Sequence, residues 1–186
     1  MTGGLPEDDD GALAARARAG DEQAFGALMR RHKERVYRFV RAYVADAEEA
    51  YDLTQETFAA AWNGLSRYDP NRPLAAWLKR IALNKCRDWS RRRAVRRFFF
   101  AAESIDALAE APTAADASEE RLEVNLRRLD LAIAALPLGL KEPLLLTAID
   151  GMSHQDAAKV LNLTAKAIES RVYRAKAALA RALAND

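Results

Sequence analysis

An all-α fold, with two small helical domains joined by an acidic linker, is what this 186-residue sequence predicts. Three observations carry that reading. Forty alanines stand against 8 glycines and 6 prolines, and alanine is the residue a helix accommodates at least entropic cost. Apolar residues recur at spacings of three and four, the period of a helix with one buried face. Finally, a stretch rich in Ala, Pro, Thr and Ser with no Lys or Arg, Phe98 to Glu120, separates two such periodic regions. These boundaries give a leading segment 1–20, a first helical domain 21–97, a linker 98–120 and a second helical domain 121–186.

In the first domain, Phe25, Leu28, Met29, His32, Val36, Phe39, Val40 and Tyr43 form one stripe, with Asp21 placed to cap it. A second stripe runs Ala50, Leu53, Thr54, Thr57, Phe58, Ala61, Trp62 and Leu65, and a third runs Leu74, Trp77, Leu78, Ile81, Ala82, Cys86 and Trp89. Between them, Arg67-Tyr68-Asp69-Pro70-Asn71-Arg72-Pro73 holds two prolines and an asparagine, which enforce a loop.

The second domain opens with Leu122, Leu126, Leu129, Ile133 and Leu136, a stripe ended by Pro137 and Gly139. A short helix over Leu144 to Ile149 follows, stopped by Gly151 in a left-handed conformation. Ser153, with Asp156 three residues on, reads as a variant capping box for a helix over about His154 to Leu161. Asn162 tolerates the left-handed geometry at its end. Thr164 then caps a long last helix with a core stripe of Ile168, Val172, Ala175, Leu179 and Leu183. Two helices across so short a turn, with small Ala157 and Ala158 at the crossing and Leu163 in the turn, make a helix-turn-helix.

Composition excludes several function classes. A lone cysteine, Cys86, forms no internal disulfide, and with only His32 and His154 beside it supplies no zinc-ligand set; it is assigned to the core. No nucleophile elbow, Ser/His/Asp grouping or glycine-rich phosphate loop is present, so neither enzymatic activity nor a cofactor is expected. No stretch approaches the roughly 18 to 20 apolar residues of a membrane span. Residues 1–10 carry Glu7, Asp8, Asp9 and Asp10 and no Lys or Arg, unlike a secretory signal. A cytoplasmic protein without membrane insertion is expected.

Charge placement points to nucleic acid. The formal net charge is only +2, yet between Lys79 and Arg97 nine basic residues face the single acid Asp88. Phe98 to Glu120 holds six acids, and like charges with Pro112 favour an extended tether. Phe98, Phe99 and Phe100 are expected to dock onto something, since three exposed phenylalanines are costly. Once the apolar face of the last helix is buried, Lys166, Glu169, Ser170 and Tyr173 project outward, flanked by Arg171, Arg174 and Lys176. A helix fits the major groove, its early residues reach base edges and its arginines hold phosphates. A solvated helix face is the plain alternative.

Tyr51-Asp52-Leu53-Thr54-Gln55-Glu56-Thr57-Phe58, then Trp77-Leu78, Ile81-Ala82-Leu83-Asn84, Asp88 and Arg91-Arg92-Arg93, resemble the bacterial RNA polymerase sigma factors of the extracytoplasmic-function (ECF) group. In the second domain, Leu136-Pro137, Gly151-Met152-Ser153, Asp156-Ala157-Ala158, Ile168-Glu169-Ser170-Arg171 and Arg174-Ala175-Lys176 are similar to that family's promoter-binding helix-turn-helix. Together the likeness covers about residues 20–97 and 122–184.

The resemblance implies a non-enzymatic subunit that binds core RNA polymerase, melts promoter DNA and is restrained by an anti-sigma factor. It implies that Asp52, Gln55 and Glu56 contact core polymerase, and the residues agree in falling away from the Leu53/Phe58 stripe. It implies that the loop from Arg67 to Leu74 and the helix after it open and read the minus-10 element. A flipped base and a separated strand need a pocket, cations and stacking groups, for which Asn71, Lys79, Arg80, Arg87 and Arg91 are the candidates. Trp77 and Trp89 are left to the core. The last helix corresponds to the minus-35 reader, with Lys166, Glu169, Ser170, Arg171 and Arg174 as contacts. The linker is then a place for the anti-sigma factor or for the polymerase.

Departures from the family pattern are Tyr51 where an acid is common, Asn162 where glycine is common, Glu169 where lysine is frequent, and the segment Arg72 to Ala76. A carboxylate facing DNA weakens phosphate attraction but accepts from cytosine N4, so Glu169 marks a distinct promoter preference. Pro143 sits early in its helix, whose start is expected near Lys141. Two rival functions stay open: a helix-turn-helix regulator that is no polymerase subunit, and a helical adaptor whose basic run binds RNA or an acidic protein.

Overall fold

The computed structural model describes residues 9–100 and 117–184, and these form helices and loops without a strand. Two compact units result, one reaching to Lys85 and the other starting at Cys86. The break lies inside one helix, α4 (Leu74–Phe100), which contributes residues to both.

The first unit contains α1 (Asp10–Arg18), α2 (Glu22–Val44), α3 (Ala47–Gly64), a 3₁₀ turn (Leu65–Arg67) and the beginning of α4. Each of the first three helices starts on an aspartate that accepts a backbone N–H: Asp9 from Ala12 at 2.8 Å, Asp21 from Ala24 at 3.0 Å and Asp46 from Glu49 at 2.9 Å. Of the α2 stripe, Leu28, His32, Val36, Phe39, Val40 and Tyr43 are buried, the last three fully inaccessible, while Phe25 and Met29 are half-buried. In the α3 stripe, Trp62 alone stays at the rim, 36% exposed, with its ring 4.9 Å from that of Phe25.

Helix α1 falls within the segment that composition leaves unassigned. It buries Leu13, Ala14 and Ala17, and a polar clasp ties it to α2. Asp10 accepts from Arg31 Nη1 and from His32 Nε2, each at 2.7 Å. An ionised carboxylate only accepts, so Nε2 is the protonated nitrogen in this pair. Burial raises the Asp10 pKa, but the bonds and charges of Arg31 and His32 outweigh it and hold the carboxyl below its usual range.

The second unit adds α5 (Ala117–Ala135), α6 (Leu138–Leu144), a π-helical turn (Leu145–Ile149), α7 (His154–Leu161) and α8 (Ala165–Ala184). Helix α6 begins at Leu138, not near Lys141: Pro137 sits at its cap, and its carbonyl accepts from Leu140 at 2.8 Å and Lys141 at 2.9 Å. Pro143 therefore falls inside the helix, where it removes one ladder donor. The ladder continues in the wider π register, with Asp150 N–H donating to the Leu145 carbonyl at 3.0 Å.

Among the described side chains of α5, residues 124–135, burial comes only near the C-terminal end. Ile133 and the following Leu136 are buried, whereas Leu126 of the same stripe is 53% exposed. Gly151 (φ 70°) and Asn162 (φ 56°) both adopt the left-handed conformation expected of helix ends. The three phenylalanine side chains, Leu122 and most of the acidic linker lie outside the residues whose placement is described. Among the described residues, no helix is long and apolar enough to cross a membrane.

Candidate nucleic-acid interface

The helix-turn-helix is built from local signals. Ser153 Oγ accepts from Asp156 N–H at 3.1 Å, and the Ser153 hydroxyl donates to Asp156 Oδ2 at 2.7 Å, which closes the variant capping box. That hydroxyl and then Lys159 hold the Asp156 carboxyl below its usual range. Leu163 N–H reaches back to the Ala158 carbonyl at 2.9 Å, and Thr164 Oγ1 accepts from Ala167 N–H at 3.2 Å. The turn is thereby pinned at both sides. Fully buried Ala157 leaves room for α7 to approach α8 closely.

Helix α8 buries Ile168, Val172 and Ala175 in single file. At the same spacing on the opposite side lie Lys166, Glu169, Ser170, Tyr173, Arg174 and Ala177, all exposed. Tyr173 is 74% exposed, an aromatic ring standing in solvent in the middle of a cationic face. Lys166 Nζ lies 2.9 Å from Glu169 Oε2, and this bond and charge lower the Glu169 pKa. Arg171 sits apart from that row: it is half-buried, and its guanidinium lies 3.8 Å from where a Cβ on Gly139 would stand, over the start of α6.

The minus-10 candidates are distributed less simply. In the loop before α4, Asp69 Oδ1 accepts from the Asn71 backbone N–H at 3.0 Å and from its side-chain Nδ2 at 3.1 Å. The Tyr68 hydroxyl donates to the Arg72 carbonyl at 2.6 Å, and the Tyr68 ring lies 5.2 Å from that of Trp77. Asn71 is thus exposed on a loop stiffened from within.

Arg80 is exposed, as is Arg91, which pairs with Asp88 one turn back. Lys79 is not presented. It is 2% exposed, with Nζ 3.5 Å from the Arg35 carbonyl and 4.2 Å from the centre of the Phe39 ring. Within the second unit, Arg87 makes a bidentate pair with Glu142, at 2.7 and 2.6 Å. Trp89 and Cys86 are buried, and Trp77 is half-buried.

On α3, Asp52, Gln55 and Glu56 are all exposed, while Leu53, Thr54, Thr57 and Phe58 are buried. The Thr54 and Thr57 hydroxyls donate to the Ala50 and Leu53 carbonyls, each at 2.7 Å, so neither threonine brings an unsatisfied group into the core. Lys85 of α4 reaches Glu56 at 3.1 Å. Sequence reasoning missed the α1 clasp, although two aspartates before a Leu/Ala-rich run are a readable helix start.

Known proteins resemble the chain in both units. The Sigma-70 region 2 family matches residues 28–96, and the Sigma-70 region 4 family matches residues 126–179. The RNA polymerase sigma factor CnrH of Cupriavidus metallidurans is 42% identical over 186 residues, covering 97% of each chain. The ECF RNA polymerase sigma factor SigM of Mycobacterium tuberculosis is 30% identical over 182 residues, 97% of this chain and 88% of its own. The solved structure of CnrH in complex with the cytosolic domain of CnrY matches with a TM-score of 0.71 at 37% identity, over 96% of this chain and 99% of that one. With its exposed basic helix in the second unit and its likeness extending through both, this chain belongs to the ECF group of RNA polymerase sigma factors of the Sigma-70 family.

Proposed function

We propose that this sigma factor divides its work among three surfaces. Asp52, Gln55 and Glu56 on α3 dock on core RNA polymerase; Asn71, Arg80 and Arg91 engage the minus-10 element as it opens; α8 engages the minus-35 element, with Lys166, Glu169 and Ser170 toward its base edges and Arg174 on its phosphates. The functional heads are residues 21–97 and 121–186, joined by the acidic segment 98–120. Arg171 flanks the row as a backbone contact. Lys79 serves by holding α4 against α2 and is left out of the DNA set, and Arg87 contributes only where its pair with Glu142 is exchanged for a phosphate. The protein acts as a non-catalytic subunit, and its place of work is the cytoplasm, where the polymerase is.

The observation that carries this reading is the row of exposed polar and cationic residues left on α8 when Ile168, Val172 and Ala175 are buried. CnrH is seen bound to the cytosolic domain of CnrY; by analogy, a partner of that kind acts here as an anti-sigma factor. The test is reconstitution: full-length protein added to sigma-free core polymerase directs transcripts from a defined set of starts in genomic DNA. Triple replacement of Asp52, Gln55 and Glu56 by alanine abolishes association with core polymerase while the helical spectrum is kept. Binding to a palindromic duplex without polymerase, and no initiation with it, would instead identify an ordinary helix-turn-helix regulator.

A further inference from the structure

Glu169 is the one acid in the exposed row of α8. A carboxylate on a face that meets a polyanion opposes every phosphate nearby, so its presence in the second turn, where a recognition helix meets base edges, calls for a physical reason. The structure places it beside Lys166, with ammonium and carboxylate 2.9 Å apart and both side chains largely in solvent, 84% and 55% exposed. The bond and charge of Lys166 keep Glu169 ionised, so it can only accept. The two heads therefore present a donor and an acceptor side by side.

A base pair presents the complementary edge. In C·G the cytosine N4 amine donates and guanine O6 accepts, and the Watson–Crick bond between them sets them about 2.9 Å apart. A·T also offers an adjacent donor and acceptor, but its flanking groups are wrong. Adenine N7 turns a lone pair toward a carboxylate placed on N6, and the thymine methyl crowds an ammonium placed on O4. In C·G the carboxylate meets no second acceptor on cytosine, and guanine N7 gives the ammonium another.

We infer that the Lys166–Glu169 pair reads a single C·G base pair in the major groove, Glu169 accepting from cytosine N4 while Lys166 donates to guanine O6 and N7. This rests on α8 being the minus-35 reader. The pair trades one solvated bond for several, and the acid lowers affinity for other sequences while raising it for this one, which is discrimination rather than strength.

The test is initiation by full-length protein with core polymerase from a promoter library in which every base pair of the upstream element is varied. Wild type is expected to demand C·G, in one orientation, at one position, with each wrong pair reducing initiation about tenfold. Glu169→Gln is expected to move that preference to A·T, adenine replacing cytosine, because glutamine bonds adenine N6 and N7 together. Lys166→Ala weakens the C·G preference without redirecting it. Both side chains lie in solvent, and circular dichroism of each variant checks that its helices are intact.

The inference is overturned if Glu169→Gln and Glu169→Ala raise initiation alike on all sequences with the base profile unchanged, as expected for a solvated ion pair that merely repels phosphate. In that event the upstream element still matters and the minus-35 reading stands. If wild type initiates from no member of the library, or ignores the upstream element, both readings fall together.

Discussion

Helices α4 and α8 each carry an apolar stripe together with lysines and arginines, and they dispose of those cations in different ways. On α4 the buried residues include the neighbours Leu78 and Lys79, then Ala82 and Leu83, so the covered face is wide and takes a lysine with it. On α8 the buried residues Ile168, Val172 and Ala175 run in single file, half-buried Ala167, Arg171 and Leu179 flank them, and the opposite side from Lys166 to Ala177 is left to solvent. A wide face belongs to a helix packed into a bundle, a narrow one to a helix lying across its neighbours with one side free. The availability of a cation for DNA is thus set by the width of the apolar stripe, not by the charge of the segment.

The largest expected effect breaks the α4 side of this contrast. Lys79→Glu sets a carboxylate against the Arg35 carbonyl and the face of the Phe39 ring and should destabilise the protein by about 3 kcal/mol or more. Lys79→Met, which keeps the stem and removes the charge, should stay within about 1.5 kcal/mol of wild type. Urea unfolding separates the two, and equal losses in both variants would contradict a packing role. Next in size is Ser153→Ala, which removes the α7 cap and should lower stability by about 1 kcal/mol. Hydrogen exchange should locate the loss in α7 and the turn, with α2 and α3 unaltered.

On the α8 side, Arg174→Ala should weaken promoter-duplex binding by holoenzyme nearly equally for all sequences and reduce the salt slope by about 1. A change in base preference would mean that Arg174 reads bases instead. The smallest effect concerns the α1 clasp. Because the Asp10 pKa is lowered in the folded state, its contribution is present above its unfolded value of about 3.9 and is lost as pH falls below that through the folded value. Asp10→Asn should remove that part of the acid sensitivity, with a stability change of at most about 1 kcal/mol. Stability of the variant against pH, compared with wild type from pH 5 down to 2, reads it directly.

Much of this was legible in the residues. The Asp21 cap, the double-proline loop, Gly151, Asn162 and the Ser153/Asp156 box are local devices, and their geometry follows from backbone chemistry within a few residues. The exposure of Asp52, Gln55 and Glu56 likewise follows from the period of α3. Long-range partners were not legible. Nothing near Lys79 in the sequence announces Phe39, and nothing near Arg87 announces Glu142. Spacing likewise assigns Leu126 to a stripe without saying how far along that stripe a partner extends.

The amino-acid order alone determined that the chain is helical, where most helices begin and end, which faces are apolar, and that its basic and acidic residues are sorted along it. Only the tertiary structure decided which of the cations remain on the surface, that α6 starts at Leu138 and widens into a π turn, that the leading segment folds onto α2 through Asp10, and that Arg87 pairs with Glu142. Caps, turns and ion pairs one helical turn apart are governed by neighbours in sequence, whereas burial and long-range ion pairing depend on neighbours in space, and a helical period leaves those unspecified.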